Sequence, residues 1–173
     1  RELFQWTKPL IGDFDGDGRR EVIFTYISGF RRNHVAEIYC FETSGELRWK
    51  FRPGRVVSGP NASFRPPYSI RMTIPVPPRG GKPGLIALIA FHFEPPALVT
   101  ALSLQGKVMG EYWHSGHFLS ATVADLEKDG RDKLYLAGIL NSTHSATLVV
   151  LDPRELGGAS QEPDPIFRLD GFA

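Results

Sequence analysis

The chain has 173 residues, 42% hydrophobic content and a formal net charge of +1 at pH 7, which is enough apolar material for one core and excludes a disordered chain. Near-neutral charge excludes the electrostatic footprint of a nucleic-acid binder. No apolar run reaches the ~18 residues of a membrane helix, and a single cysteine, Cys40, excludes a disulfide framework.

Leu3-Phe4-Gln5-Trp6 opens the chain as a predicted strand. Ile11-Gly12 then leads into Asp13-Phe14-Asp15-Gly16-Asp17-Gly18-Arg19-Arg20-Glu21. Asp13, Asp15 and Asp17 stand at positions 1, 3 and 5 of this stretch, and Glu21 at position 9. Such spacing suits Ca²⁺, which takes six to eight hard oxygen ligands at about 2.3–2.6 Å. Gly18 supplies the sharp turn, and the backbone carbonyl of Arg19 joins the expected ligand set. Carboxylates this close repel one another unless a cation sits among them. An EF-hand is excluded, because position 12 is Phe24, inside the strand-like Val22-Ile23-Phe24-Thr25-Tyr26-Ile27.

Arg31-Arg32 is expected at the tip of the first hairpin, followed by the strands Ala36 to Phe41 and Gly45 to Trp49. Arg48, Lys50 and Arg52 alternate, so a regular strand would set them in a row, either an ion-paired edge or a face for an anionic partner. Cys40, inside a strand, reads as a buried inert thiol. The Pro- and Arg-rich stretch from Arg52 to Pro78 reads as a long excursion between strands. Leu85 to Phe93 and Leu98 to Leu104 are apolar on both faces, as in strands buried between two layers. His114-Ser115-Gly116-His117 lacks a third ligand nearby and reads as a loop cap rather than a zinc site. Ile166-Phe167-Arg168-Leu169 is a predicted terminal strand, available to pair with Leu3 to Trp6 or with a neighbouring chain.

The first loop recurs. Asp125-Leu126-Glu127-Lys128-Asp129-Gly130-Arg131-Asp132-Lys133 repeats its frame, with Asp125, Glu127, Asp129 and the carbonyl of Arg131 as a weaker ligand set, because Lys133 replaces Glu21 and can itself satisfy the carboxylates. A third copy, Val76 to Gly84, keeps the glycines and the following strand but has lost its acids. Self-similarity of this kind points to a repeat architecture, read as one domain over 1–173 with units 1–60, 61–118 and 119–173.

The motif D-x-D-x-D-G-x-x-E leading into a strand, with its copies, resembles the FG-GAP or VCBS repeat of integrin-type β-propellers. That resemblance implies an all-β chain of about three four-stranded antiparallel blades, with structural Ca²⁺ in the loops joining two strands of a blade. Closed propellers use 4–8 blades, so three units imply a partial, open or oligomer-completed propeller, with self-association through terminal or edge strands. The chain opens on Arg1 rather than Met, which gives the expectation of an excised piece of a larger bacterial protein, its signal or anchor lying elsewhere. Low-affinity calcium loops suit an extracytoplasmic site. No nucleophile elbow, phosphate loop or paired carboxylates stand outside the acidic loops. The expectation is a non-enzymatic module for protein or carbohydrate interaction or sensing; the alternative is a polysaccharide hydrolase or lyase domain with structural calcium.

Overall fold

The computed structural model describes residues 8–28, 35–92 and 96–172. Leu3 to Trp6 and Arg31-Arg32 lie outside them. The chain is all-β, and consecutive strands pair antiparallel. The first sheet runs β1 (Leu10–Gly12), β2 (Glu21–Ser28), β3 (Val35–Glu42) and β4 (Leu47–Phe51), in that spatial order. A small hairpin follows, β5 (Val57–Gly59) with β6 (Ala62–Phe64). The second sheet contains β7 (Ser69–Val76), β8 (Leu85–Phe91), β9 (Ala97–Ser103) and β10 (Val108–His114). The third has three strands, β11 (His117–Ala124), β12 (Lys133–Leu140) and β13 (Ser145–Leu151). Among the described residues none of the sheets closes on itself.

The second sheet is the middle layer of a stack. Every residue of β8 is buried, and the period-2 pleat sends them to opposite sides. Ile86, Leu88 and Ala90 join Leu98 and Leu102 against Ile23, Ile38 and Cys40 of the first sheet. Leu85, Ala87, Ile89 and Phe91 join Val99 and Ala101 against Phe118, Leu134 and Leu136 of the third. This is why Leu85 to Phe91 shows no polar alternation: a strand covered on both faces has no solvent side. The first sheet is also tied to the second by Trp49, whose indole Nε1 donates to the carbonyl of Leu104 at 2.7 Å. Gly106 permits this closeness, since its φ is +77° and a Cβ there would lie 2.8 Å from the Trp49 ring.

Cys40 faces the first of these cores, and burial pushes its thiol up to about 12. Thiol reagents are therefore expected to leave Cys40 unmodified in the folded chain at pH 8 and to modify it fully in denaturant, as absorbance after Ellman's reagent would read.

Three expectations are corrected. The stretch from Arg52 to Pro78 is not one excursion, because it contains the β5–β6 hairpin and the whole of β7. Ile166 to Leu169 is not a strand: Pro165–Phe167 forms a short 3-10 turn. Pro163 and Pro165 offer no amide for a ladder, and the Asp164 carboxylate accepts from the Ile166 amide at 3.0 Å. Among the described residues the third sheet has three strands and not the expected four. After β13 the chain crosses to the second sheet, where the Trp113 amide donates to the Gly158 carbonyl and the Ser160 amide to the Trp113 carbonyl.

Candidate metal centre

The Asp13 loop joins β1 to β2, and the Asp125 loop joins β11 to β12. Their backbones are held alike. Asp13 Oδ2 accepts from the Gly18 amide at 3.0 Å and Asp17 Oδ1 from Arg19 at 2.7 Å. In the second loop Asp125 Oδ2 accepts from Gly130 at 3.1 Å and Asp129 Oδ1 from Arg131 at 2.9 Å. Gly18 and Gly130 sit at φ +85° and +84°. The acid-free copy is a tight hairpin between β7 and β8, closed by reciprocal Arg79 and Lys82 backbone bonds over Gly80-Gly81.

In the first loop, Asp13, Asp15 and Glu21 each bring a carboxylate oxygen within 4.8 Å of the others, the one such group of metal-ligating side chains among the described residues. Asp17 stands outside this group, its carboxylate engaged by the Arg19 amide. Glu21 begins β2 and is buried, pointing to the same side as Ile23. Its Oε2 accepts from the Phe14 amide at 3.0 Å, which fixes the carboxylate across the loop.

Sequence reading missed Arg48. A bulge in the β3–β4 pairing, between Cys40 and Phe41, breaks the alternation of β4. Arg48 consequently leaves the expected row with Lys50 and Arg52 and reaches Asp15 at 2.9 Å, Glu21 at 2.9 Å and Glu42 at 3.1 Å. Arg52 pairs with Glu37, and Arg55 pairs with Glu111 while lying 5.4 Å from the Trp113 ring centre. Of the expected row, Arg48 alone turns away, while Lys50 and Arg52 both act on Glu37.

Around Arg48 the charges do not balance. Asp15, Glu21 and Glu42 share the one guanidinium of Arg48, and Asp13 joins Asp15 and Glu21 beside it, leaving an excess of hard anionic oxygen that fits a divalent cation. Burial raises the Glu21 carboxyl above its ordinary value; the Phe14 amide pulls it back, Asp15 repulsion raises it and Arg48 lowers it. A carboxyl raised on folding favours the fold in its protonated form. Its contribution is complete below the ordinary value and is lost as pH climbs through the raised one. Without calcium, the parent is therefore expected to gain stability on Glu21→Gln as pH falls from 7 toward 4.5, the ordinary value. Calcium affinity is expected to weaken over the same window, since a protonated carboxyl is a poor ligand. Urea titrations of the two proteins at several pH values check both.

The second loop is held by a cation from elsewhere in the chain. Arg79 Nη2 lies 3.1 Å from Asp125 Oδ2 and its Nη1 lies 2.7 Å from Asp132 Oδ1. Arg79, not Lys133, is the counter-charge, and the copy that lost its acids supplies it. Glu127 and Arg131 are exposed, and Asp129 engages the Arg131 amide. The signal was present in the sequence as one arginine in the acid-free loop, but which acids it meets depends on how the sheets stack. Arg79→Met is expected to cost about 2 kcal/mol in urea unfolding, less than a fully buried pair because the guanidinium is partly exposed. Asp132→Asn on that background should recover part of the loss.

His114 is buried, with Nε2 3.2 Å from the Ile139 carbonyl and its ring stacked on Phe118. His117 stacks on Phe91 instead. Each ring packs on its own aromatic partner, and burial lowers both imidazoles below their ordinary value.

No family model matches the chain, and no curated protein or solved structure matches it.

Proposed function

We propose that this chain is a calcium-stabilised, non-enzymatic interaction module of the β-propeller type, the FG-GAP-like part of a larger bacterial protein working outside the cytoplasm, with a protein or a carbohydrate as partner. The observation that carries this reading is the convergence of Asp13, Asp15 and Glu21 in a loop between two adjacent strands of one sheet. The stacking of three antiparallel sheets, each made of consecutive strands, supports the propeller-type arrangement. The bond pattern shared by the Asp13 and Asp125 loops supports a repeated unit.

The metal's role is structural. It links the β1–β2 loop to Glu21 at the start of β2, and it stabilises the folded state by mass action because an unfolded chain has no preformed cage. Arg79 already serves the second loop, so one calcium per chain is the expected stoichiometry. A calcium concentration of 100 times Kd adds about 2.7 kcal/mol, which for a domain of this size raises the melting temperature by roughly 5–10 °C. Thermal melts of the chelator-stripped chain with calcium, with magnesium and with neither test this. A melting temperature indifferent to calcium would remove the reading.

A further inference from the structure

Buried polar atoms without a hydrogen-bond partner are few in folded chains, and each calls for a physical reason. Six of the nine such side-chain atoms among the described residues gather at one end of the second sheet: Tyr68 Oη, His92 Nδ1, Trp113 Nε1, His114 Nδ1, Ser115 Oγ and Glu162 Oε2. The Tyr68 ring lies 5.6 Å from that of Trp113 and 5.5 Å from that of His92, centre to centre. Glu162 joins them through Ser160, whose hydroxyl donates to Glu162 Oε1 at 2.6 Å and accepts from the Ser115 amide at 3.3 Å.

At the same end a cleft of about 250 Å³ lies between the β5–β6 hairpin and the C-terminal segment. Ala62 and Phe64 line it from the hairpin, Ile166, Phe167 and Leu169 from the C-terminal side, and Ser115 lines it as well. The two walls are braced by backbone bonds. The Asp170 amide donates to the Ser58 carbonyl at 2.7 Å. Gly59 permits this approach, since a Cβ there would lie 2.7 Å from the Arg168 carbonyl oxygen. Arg168 Nε and Nη2 donate to the Glu162 and Pro163 carbonyls at 2.9 and 3.4 Å, which stiffens the C-terminal wall from within. A mostly apolar cleft with fixed walls and one buried polar group has the form of a preformed small-molecule site.

We propose that this cleft binds a small neutral aromatic molecule carrying one hydroxyl, a phenol or an aryl alcohol, whose hydroxyl pairs with Ser115 Oγ. Volume sets the size: an apolar cavity of about 150 Å³ is enough to hold benzene, so this cleft takes one substituted ring. The lining sets the class. Apolar side chains on both walls suit the ring, and Ser115 Oγ, on a residue 4% exposed and itself without a partner, can both donate and accept. A sugar would leave most of its hydroxyls against apolar side chains, unpaired. A carboxylate would approach the buried Glu162 carboxylate, while Arg168 is turned to backbone carbonyls. The site is independent of the metal, since no residue of the Asp13 loop lines it.

The test is NMR titration and thermal melting of the chain with p-cresol, toluene, p-toluate and glucose, in calcium and in chelator. Sub-millimolar binding of p-cresol is expected in both conditions, with nuclear Overhauser contacts from its protons to the methyls of Ala62, Ile166 and Leu169. Toluene, which lacks only the hydroxyl, should bind about 5-fold more weakly. Ser115→Ala should bind the two alike and melt no lower than the parent, because the deleted hydroxyl has no partner to lose. Ala62→Phe, which fills the cleft, should bind neither. Four results would overturn the proposal: p-cresol that does not bind or makes no contact with those methyls, toluene binding the parent as tightly as p-cresol, p-toluate or glucose binding at least as tightly, or Ser115→Ala keeping the preference for p-cresol. Should Ser115→Ala fail to fold, the contacts and the toluene comparison in the parent decide. Binding of p-cresol by a chain whose melting ignores calcium would remove the metal reading and leave this one standing.

Discussion

Leu88→Ala and Ile89→Ala are each expected to cost about 2–5 kcal/mol, although the two residues are neighbours in one strand. Both side chains are fully buried, but Leu88 lies in the core against the first sheet and Ile89 in the core against the third. Truncating either removes contacts and leaves a cavity that stiff strands on both sides cannot collapse. Because the two packing environments are separate, the double variant should lose close to the sum, within ~0.5 kcal/mol. Domains of ordinary stability hold 5–15 kcal/mol in all, so the double variant is expected at the margin of folding. Urea unfolding of the three variants measures this. A cost under 1 kcal/mol for either single change would mean that the sheet is covered on one face, and the stacked arrangement would fall.

Asp13→Ala is expected to act twice. Its carboxylate accepts from the Gly16 and Gly18 amides at 2.7 and 3.0 Å, holding the loop whether or not a metal is bound. Losing those bonds in an exposed loop should cost about 1–2 kcal/mol in chelator. In calcium the loss should be larger by the full binding contribution, about 2.7 kcal/mol at 100 times Kd, and the melting temperature should no longer respond to calcium. Asp13→Asn separates the two effects. Its single amide oxygen can still accept one of the two backbone bonds, which Asp13 takes on separate oxygens, so stability in chelator should fall by less than in Asp13→Ala, whereas the lost charge should still weaken calcium binding. An Asp13→Ala protein that gains as much from calcium as the parent would place the metal elsewhere.

Much of this architecture was legible in the residues. Short β-branched and aromatic runs between Gly, Pro and Asp turns marked β2, β3, β8 and β9, and the two-sided apolar character of Leu85 to Phe93 announced a middle layer. The glycines at 18, 81 and 130 marked three equivalent strand-to-strand connections, and all three stand in that position. What the sequence hid were features set by register and by neighbours. A bulge turned Arg48 from an edge row into the acid cluster. The relative placement of two sheets brought Arg79 to Asp125 and Asp132. At the C-terminus, the prolines at 163 and 165 outweighed the apolar pattern of Ile166 to Leu169.

The most direct measurement is a calorimetric titration of calcium into the chelator-stripped chain, beside Asp13→Ala and Arg79→Met. One site per chain in the parent and none in Asp13→Ala is the predicted result, with Arg79→Met keeping the Asp13 site and gaining a weaker second one where Asp125 and Asp132 lose their cation. A parent chain that takes up no calcium would contradict the account, leaving the Asp13 loop an acidic turn held by Arg48 and its own backbone.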